Sequence, residues 1–358
     1  MKAAVFHGVE DIRIQEWPQP HCGPKEVLVK VSYCAICGTD LRIFYHGHKK
    51  VNPPAIIGHE ITGVIEKVGE SVSQSDFRAG DPVTVVTSVG CGHCRLCQRG
   101  WYNLCPDTRA IGYFWPGGFA EYLLVPEEAV AQQAIIRLPE KLSLLDGTLV
   151  EPLSCVINGQ SYLNIRDGET VVIFGGGPVG LMHACLAKAE GASQVLVVDP
   201  DFERLERFGK KFEGLILLDP KKVKVKEEVA RLTAGAGADV VITACPVKQA
   251  QLDGLEILAG RGRISFFGGL PKDDSLITLD ANLIHYRELS VFGAFASNRK
   301  DYLKAAQLLV SGVIPAEKFI TRVFSLEEIV EGLHQIKQGA VLKAVVKIDS
   351  VKKGIKEE

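Results

Sequence analysis

A run of apolar residues followed directly by a glycine-rich turn limits most strongly what this chain can fold into. The run is Thr170–Phe174, the turn is Gly175-Gly176-Gly177-Pro178-Val179-Gly180, and a helix is predicted over Leu181–Glu190. A strand, a glycine turn and a helix in this order are typical of the first half of a βαβ unit that binds a dinucleotide. The sequence therefore predicts an α/β domain with a nucleotide at the edge of its sheet.

The glycines of this turn have separate roles. Gly175 permits the tight turn, Gly177 lets the backbone approach a pyrophosphate, and Gly180 lets helix and strand pack closely. The helix N-terminus then faces the phosphate charge. Asp199 ends the next predicted strand, nineteen residues after Gly180, where a carboxylate binds a ribose 2′-hydroxyl. Arg204 follows on the next helix, and we expect it to lie against the adenine.

Among dinucleotides, Asp199 favours one with a free ribose 2′-hydroxyl, such as NAD, over one with a 2′-phosphate, such as NADP. NADP carries a phosphate on the ribose oxygen that the carboxylate contacts in NAD, and two like unit charges about 4 Å apart repel by about 4 kcal/mol at an effective dielectric near 20. Pro200 and Asp201 offer no cation, and stacking of Arg204 leaves it poorly aimed at a phosphate. Because solvent and salt weaken the repulsion, we predict a preference for NAD of about tenfold or more, or about 1.4 kcal/mol.

Three further apolar runs repeat the pattern of a strand buried on both faces. They are Gln194–Val198, Asp239–Thr243 and Arg263–Phe267. Alternation with helix-like segments predicts a doubly wound parallel sheet over residues 146–290.

The rest of the chain has a different pattern. Residues 1–145 contain strand-like runs at Val27–Val31, Gly63–Val68 and Asp81–Val86, separated by turn residues, which predicts an irregular antiparallel barrel. Residues 291–358 contain predicted helices over 301–311 and 325–338 and a strand over 342–348. We expect this last stretch to rejoin the first domain, with a frayed tail from Val351.

Four cysteines lie close together at regular spacing. They are Cys91, Cys94, Cys97 and Cys105. Four thiolates at this spacing can enclose one tetrahedral zinc ion and leave no open position, which predicts a structural site in a lobe of about residues 88–110. The spacing leaves an iron–sulfur cluster open as an alternative. A nucleic-acid-binding module is another alternative, but Arg95, Arg99 and Arg109 are too few cations for it.

A second group of metal-ligand types precedes this lobe. It consists of Cys37-Gly38-Thr39-Asp40 and Gly58-His59-Glu60. Cys and His bind zinc, and a neighbouring carboxylate completes or orients the ligand set. Thr39 can take a proton from a bound alcohol, and Glu151, at the predicted domain boundary, is a candidate further ligand. The alternative is a structural core histidine at His59 with a surface acid at Glu60.

Composition excludes several classes of function. The 358 residues carry a net charge of −2, with 46% hydrophobic and 23% charged residues, which is typical of a globular protein of about two domains. The chain has no excess of Lys and Arg that could neutralise the phosphates of a nucleic acid, so we expect no nucleic-acid partner. We also expect no membrane span and no signal peptide, and therefore a cytoplasmic protein.

Together these motifs make the chain resemble the zinc-dependent medium-chain dehydrogenases, the superfamily of zinc alcohol, polyol and threonine dehydrogenases. The resemblance extends from Met1-Lys2-Ala3-Ala4-Val5 to Lys343-Ala344-Val345-Val346. Gly58-His59-Glu60-x2-Gly63-x5-Gly69 matches the zinc signature, and Glu151-Pro152 and Gly117–Tyr122 fit the sorbitol and threonine dehydrogenase branch. The resemblance implies a GroES-like β-barrel catalytic domain (1–145 plus 291–358) and a Rossmann domain (146–290).

The resemblance also implies two zinc ions per chain, one structural and one catalytic. The catalytic ion would be held by Cys37 and His59, with Glu60 and Glu151 binding it directly or through water, and Thr39 would receive the substrate proton. The structural ion would be held by the four clustered cysteines. The implied contacts of the cofactor are Gly175, Gly177, Pro178, Val179, Gly180, Asp199, Arg204, Gly268 and Phe295.

The implied reaction is oxidation of a secondary alcohol or polyol, sorbitol- or L-iditol-like, to a ketone with NAD, in a homotetramer. L-threonine 3-dehydrogenase and 2,3-butanediol dehydrogenase remain alternatives, as does a catalytically silent zinc- and NAD-binding protein. Two positions depart from the family pattern. Arg42 stands where many members have a proton-relaying histidine, and Gly293-Ala294-Phe295 is followed by Ala296-Ser297 rather than by an Arg-Tyr pair.

Overall fold

A computed structural model describes residues 1–73 and 76–348, and the chain forms two compact units. Of the described residues, the first unit contains those up to 151, 298–310 and 320–348, and the second contains 152–297 and 311–319. These boundaries lie a few residues after the predicted ones, and residues 311–319 join the second unit instead of the first. The predicted frayed tail from Val351 lies outside the described residues.

The strands are numbered in chain order. They are β1 Lys2–Gly8, β2 Asp11–Glu16, β3 Val27–Ala35, β4 Ala55–Ile56, β5 Glu60–Val68, β6 Pro82–Val85, β7 Ser88–Val89, β8 Arg109–Ala110, β9 Tyr122–Val125, β10 Ile135–Arg137, β11 Thr170–Phe174, β12 Gln194–Val198, β13 Leu215–Leu218, β14 Ala238–Thr243, β15 Leu258–Phe266, β16 Ser290–Gly293, β17 Ile320–Ser325 and β18 Lys343–Lys347.

The helices are numbered in the same way. They are α1 Gly38–His46, α2 Glu127–Ala131, α3 Leu144–Gly147, α4 Val150–Ser161, α5 Pro178–Ala189, α6 Phe202–Gly209, α7 Val225–Leu232, α8 Lys248–Glu256, α9 Ala281–Tyr286, α10 Arg299–Val310, α11 Ala316–Phe319 and α12 Ile329–Lys337. Short 3₁₀ turns occupy Cys97–Arg99, Tyr102–Leu104, Lys272–Asp274 and Leu326–Glu328.

The first unit is built on antiparallel sheets, as predicted. Its largest sheet has the order β10-β6-β5-β3-β18-β17, with β9 also pairing with β3. A second sheet has the order β2-β1-β4, and β7 pairs with β8 in a third. The pair β17–β18 is parallel and so departs from the antiparallel pattern. The pairing of β18 with β3 is what joins the C-terminal stretch to the N-terminal barrel.

The second unit contains a parallel sheet with the order β13-β12-β11-β14-β15-β16. This is strand order 3-2-1-4-5-6, the arrangement of a Rossmann fold, so the predicted doubly wound sheet is confirmed. Every residue of β11 is buried, because helices cover both faces of a parallel sheet. Each fully buried Val or Ile side chain in such a core contributes about 1.5–3 kcal/mol.

None of the helices within the described part of the chain is long and apolar enough to cross a membrane.

Candidate active site and metal centres

The start of helix α1 fixes the first group of predicted site residues. Cys37 precedes the helix, and its backbone N–H donates to the Asp40 carboxylate at 2.8 Å. This bond satisfies one of the free N–H groups at the helix N-terminus. Asp40 is fully buried, and Thr39 lies in the first turn of the helix. Cys37, Thr39 and Asp40 are thus held in fixed relative positions by the helix start.

Strand pairing brings the second group to the same place. Ala35, two residues before Cys37, lies opposite Glu60 in the pairing of β3 with β5. Gly58, just before His59, has a φ of +94°. A side chain at Gly58 would lie within 2.8 Å of Phe119 and 2.9 Å of the Cys34 Sγ. Glycine is therefore required for the bend that leads into β5.

The structure brings Cys37, His59 and Glu60 together. Each of the three residues offers one ligand atom, and these three atoms all lie within 4.8 Å of one another. The Nδ1 of His59 faces the Asp40 carboxylate at 3.6 Å, which leaves Nε2 for the cluster. A carboxylate that orients a ligating imidazole in this way is typical of zinc sites. The alternative of an ordinary core histidine does not account for the thiol and the carboxylate that converge on it.

The chemistry of this cluster fits a bound cation. Thiolate, imidazole and carboxylate are all zinc ligands, and ligand atoms of these three types lie within 4.8 Å of one another here. Burial lowers the pKa of His59, but the neighbouring Asp40 and Cys37 outweigh it and raise that pKa well above its ordinary value. Three protein ligands leave a fourth position open, as in catalytic zinc sites.

Glu151 is not part of this three-residue cluster among the described residues. It lies in the first turn of α4, and its charge contributes to raising the pKa of Lys343. The structure therefore brings three of the four predicted catalytic-zinc ligands together and leaves Glu151 outside their immediate group.

The four clustered cysteines also converge. Their sulfur atoms lie within 4.8 Å of one another, with Cys91 Sγ 4.0 Å from Cys97 Sγ and Cys94 Sγ 3.8 Å from Cys105 Sγ. Tetrahedral zinc with Zn–S bonds of about 2.3 Å would separate its sulfurs by about 3.8 Å. All four are free thiols rather than disulfides. The arrangement fits a closed tetrahedral site.

The backbone of the cysteine lobe supports thiolate at these positions. The N–H groups of Cys91, Cys94 and Cys97 donate to sulfurs of the cluster at 3.3–3.5 Å. Hydrogen bonds from the His93 and Cys94 backbone lower the pKa of Cys91 to about 6, whereas burial raises the pKa of Cys97 to about 12. A cation in the centre would stabilise all four as thiolates.

In the second unit, the glycine turn has the geometry predicted for it. Gly175 has a φ of +110°, and a Cβ on Gly180 would lie 1.8 Å from the Gly175 carbonyl oxygen. A Cβ on Gly177 would have no atom within 4 Å, so open space lies in front of that residue. Gly177 caps α5 and Pro178 occupies its first turn, which leaves the helix N-terminus available to an anion.

Asp199 lies beside this turn. Its Oδ2 accepts a hydrogen bond from the Gly176 N–H at 2.7 Å and another from Arg204 Nη2 at 2.8 Å. Its Oδ1 accepts from the Asp201 N–H at 2.8 Å. The guanidinium of Arg204 forms an ion pair with this carboxylate, a contact that the sequence analysis does not predict.

The remaining predicted cofactor residues lie near the carboxyl ends of the same sheet. Val179 is half-buried in the first turn of α5. The Gly268 N–H donates to the Thr243 carbonyl at 2.7 Å, and a Cβ on Gly268 would lie 2.4 Å from the Cys245 carbonyl oxygen. Phe295 follows β16 and is 64% exposed. Ligands of open α/β sheets bind outside these strand ends.

Two residues of the catalytic cluster's surroundings were not predicted. Lys343 donates to Glu60 Oε1 at 2.6 Å and to the Ile36 carbonyl at 3.1 Å. The ring of Tyr113 packs on His59 with 5.8 Å between ring centroids. Lys343 lies in a predicted strand and Tyr113 in a loop, and in neither case does a local pattern indicate that the side chain faces the cluster.

Comparison with known proteins is consistent with these two sites. Residues 23–137 match the alcohol dehydrogenase GroES-like domain, and residues 178–311 match the zinc-binding dehydrogenase domain. The chain belongs to the zinc-dependent medium-chain dehydrogenases. The predictions of this family, of its two-domain fold and of an oxidoreductase are confirmed.

Within that family, two curated relatives match nearly the whole chain. D-xylulose reductase A of Aspergillus oryzae is 32% identical over 96% of this chain and 95% of its own. Sorbitol dehydrogenase of Bacillus subtilis is 33% identical over 94% of both chains.

Two solved structures resemble the chain closely. A protein described as a zinc-binding dehydrogenase from Sinorhizobium meliloti 1021, bound to NADP, has a TM-score of 0.88 and 32% identity, and the match covers 97% of this chain and 99% of that one. The 2R,3R-butanediol dehydrogenase of Bacillus subtilis has a TM-score of 0.87 and 28% identity, with the same coverage.

Proposed function

We propose that this chain oxidises a secondary alcohol or polyol to the ketone, with NAD as hydride acceptor and two zinc ions per chain. The observation that carries the proposal is the convergence of Cys37, His59 and Glu60 on one point. Thr39 follows Cys37 by two residues, in the first turn of α1. The relatives named sorbitol dehydrogenase and D-xylulose reductase support a polyol as the substrate class.

The protein residues divide the work as follows. Cys37, His59 and Glu60 would hold the catalytic zinc, and Asp40 keeps the His59 ring oriented. Bound zinc supplies a Lewis acid that lowers the pKa of a hydroxyl group, and the nicotinamide supplies the hydride acceptor. Thr39 receives the hydroxyl proton of the substrate. Glu151 would act on the site through water.

The second zinc would be structural. Cys91, Cys94, Cys97 and Cys105 supply four sulfurs, so no position remains for substrate. The role of this ion is to fold the lobe, whose backbone already points N–H groups at the sulfurs.

NAD is proposed over NADP because Asp199 would face the ribose 2′ oxygen, the atom that carries a phosphate in NADP. The cofactor would contact the turn residues Gly175, Gly177, Pro178, Val179 and Gly180 and, further along the sheet edge, Asp199, Arg204, Gly268 and Phe295. The ion pair of Arg204 with Asp199 weakens the charge argument, because a guanidinium attracts phosphate. The NADP found with the Sinorhizobium meliloti protein belongs to that protein.

A second candidate reaction is 2,3-butanediol oxidation, favoured by the similarity to the Bacillus subtilis butanediol dehydrogenase. L-threonine 3-dehydrogenase activity is the third. Initial rates with sorbitol, xylitol, 2R,3R-butanediol and L-threonine, each with NAD and with NADP, separate the three. Absence of turnover with any of these alcohols by zinc-loaded protein would refute the proposal.

We also propose a cytoplasmic homotetramer. All ten cysteines are free, which suits a reducing compartment, and the tetramer rests on resemblance to the family alone. Cell fractionation and light scattering test the two statements, and a stable monomer would refute the second.

A further inference from the structure

A short loop that follows β16, residues 295–297, is held by side chains of the helix α4 in the same unit. The Nδ2 of Asn158 donates to the Ala296 carbonyl at 2.8 Å. The hydroxyls of Ser154 and Ser297 are hydrogen-bonded to each other at 2.6 Å. Asn158 and both serines are buried. The helix α4 therefore fixes both the backbone and a side chain of this loop, which we call the β16 loop.

The β16 loop has a backbone conformation that needs support from its surroundings. Ala296 has a φ of +49°, in the left-handed region, where the Cβ of an L-residue is crowded by the backbone. A residue other than glycine keeps such a conformation only where other contacts hold it, and such residues cluster at ligand-binding sites. The contacts that hold it here are the bond from Asn158 to the Ala296 carbonyl and the bond from Ser154 to the next residue, Ser297.

The strand order places the β16 loop on one particular side of the glycine turn. The turn follows β11, the third strand in the order β13-β12-β11-β14-β15-β16. Asp199, the proposed contact of the ribose in the adenosine half of the cofactor, follows β12 on one side of β11, and the loop follows β16 on the other. A dinucleotide crosses the carboxyl ends of the strands at the point where the strand order reverses. With its adenosine half at β12, its nicotinamide half would lie on the side of β14, β15 and β16.

The β16 loop combines buried attachment with an exposed side chain. Phe295 is 64% exposed, whereas Ser297 is buried. The Phe295 carbonyl also lies 3.5 Å from the Nδ2 of Asn158, so the same amide contacts two successive carbonyls of the loop. The loop is thus fixed from behind and accessible to a ligand at Phe295.

We propose that Asn158 is a positioning residue for the nicotinamide half of the cofactor. It holds the β16 loop in its left-handed conformation before the cofactor binds. A loop that is already ordered loses less conformational entropy on binding, so the affinity is higher. The inference rests on the proposed function, in which Phe295 contacts the cofactor.

The first test compares two ligands that share the adenosine half. NADH and ADP-ribose both carry adenosine and a pyrophosphate, but only NADH carries the nicotinamide. Isothermal titration calorimetry gives the Kd of each for the zinc-loaded full-length protein without substrate. Asn158→Leu keeps the approximate size of the side chain and removes its donor. We expect it to raise the Kd of NADH by about tenfold, or 1.4 kcal/mol, and the Kd of ADP-ribose by less than about twofold.

Gln160 provides the matched control on the same helix. It is buried, and its Nε2 also donates to a backbone carbonyl, that of His183, at 2.7 Å. Gln160→Met removes a comparable hydrogen bond without altering the β16 loop. We expect it to lower the unfolding temperature as Asn158→Leu does and to leave both Kd values nearly unchanged. The unfolding temperature and zinc content of each variant show whether the fold is retained.

Two further variants test the loop itself. Ala296→Gly removes the crowding of the left-handed conformation, so in the Asn158→Leu background it should recover part of the lost NADH affinity. Ser154→Ala/Ser297→Ala removes both hydroxyls together, so neither is left without the other, and it replaces Asn158→Leu if that variant does not fold. We expect this double variant to raise the Kd of NADH by about threefold or more and to leave the Kd of ADP-ribose nearly unchanged.

The outcomes separate the positioning role from the proposed function. A parent protein that binds no NADH refutes the proposed function. In a parent that binds NADH, an unchanged Kd of NADH in Asn158→Leu overturns the positioning role alone. Equal weakening of NADH and ADP-ribose also overturns it, because the substitution then acts on the whole unit. A complete lack of recovery by Ala296→Gly overturns the role of the left-handed conformation.

Discussion

The ammonium group of Lys343 lies 2.6 Å from Oε1 of Glu60, and both side chains are buried. Burial by itself lowers the pKa of Lys343, but the charge of Glu60 outweighs it and the pKa is raised above its ordinary value. The Glu60 carboxylate thus has one cation already beside it and would have a second in a bound zinc ion. Lys343 and a bound zinc ion would share this carboxylate.

Removal of the ammonium should therefore destabilise the protein most when the catalytic site is empty. Breaking a buried ion pair costs about 3–5 kcal/mol, and we expect Lys343→Met to lose that much after a chelator has removed the catalytic-site ion. A bound zinc ion compensates the carboxylate, so the loss should be smaller in zinc-loaded protein. Urea unfolding of both forms measures the two losses.

Lys343→Arg is the control for this prediction, since it keeps the positive charge. Metal analysis should show one ion remaining in the chelator-treated sample. An equal loss of stability in the zinc-loaded and chelator-treated forms of Lys343→Met would contradict the idea of a shared carboxylate.

The two proposed zinc sites should respond differently to substitution. Cys97→Ser removes one of the four sulfurs of the cysteine site, and no other side chain replaces it as a ligand. We therefore expect loss of one zinc ion and a large fall in stability and soluble yield. His59→Asn should also lose one ion and abolish turnover, but with a nearly unchanged circular dichroism spectrum. Metal analysis of freshly purified, undialysed parent protein should give two ions per chain, and one ion or none would count against the assignment.

The sequence predicts best those elements whose pattern is local. The strands Thr170–Phe174 and Gln194–Val198 have the predicted bounds, because burial on both faces gives an uninterrupted apolar run. The strand β15 begins at Leu258 instead of Arg263. Arg261, with a φ of +63°, interrupts the apolar pattern there, and the register of the pairing with β14 shifts near this point.

The candidate site shows the same division. Cys37, His59 and Glu60 are of metal-ligand type and lie in recognisable motifs, so the sequence indicates them. Lys343 reaches Glu60 across 283 residues of chain, and a lysine in a strand gives no sign of being buried. The contact of Arg204 with Asp199 depends on the side-chain conformation of Arg204, which composition and spacing do not determine.

The ion pair between Asp199 and Arg204 leads to a paired prediction on cofactor choice. Arg204→Gln leaves the Asp199 carboxylate uncompensated, so the preference for NAD over NADP should rise above that of the parent, for which we expect about tenfold, or 1.4 kcal/mol. Asp199→Ser removes the carboxylate and frees the guanidinium for a 2′-phosphate, so the preference should narrow or reverse. The ratio of kcat/KM for the two cofactors measures both effects. Equal or better kcat/KM with NADP in the parent would refute the role of Asp199.

A buried histidine in α5 leads to a prediction on how acid affects the stability of the second unit. His183 is fully buried, and neither ring nitrogen has a hydrogen-bond partner among the described residues. Its ring packs on Phe267 at 4.6 Å between centroids. Burial lowers the pKa of His183 from 6.5 to about 3, so the side chain is neutral in the folded protein.

The direction of the pH effect follows from proton binding. Below about pH 6.5 the unfolded chain binds a proton at His183, while the folded chain binds it only near pH 3, so stability is lost as the pH falls between these values. At pH 5 the loss relative to neutral pH amounts to about 2 kcal/mol, from roughly 1.4 kcal/mol per pH unit. His183→Leu has nothing to protonate and should lose about 2 kcal/mol less than the parent between pH 7.5 and pH 5. Denaturant unfolding at the two pH values measures this difference. His285→Gln, an exposed histidine in the same unit, is the control. An identical pH dependence of stability in the parent and in His183→Leu would show that His183 does not stay neutral in the folded protein.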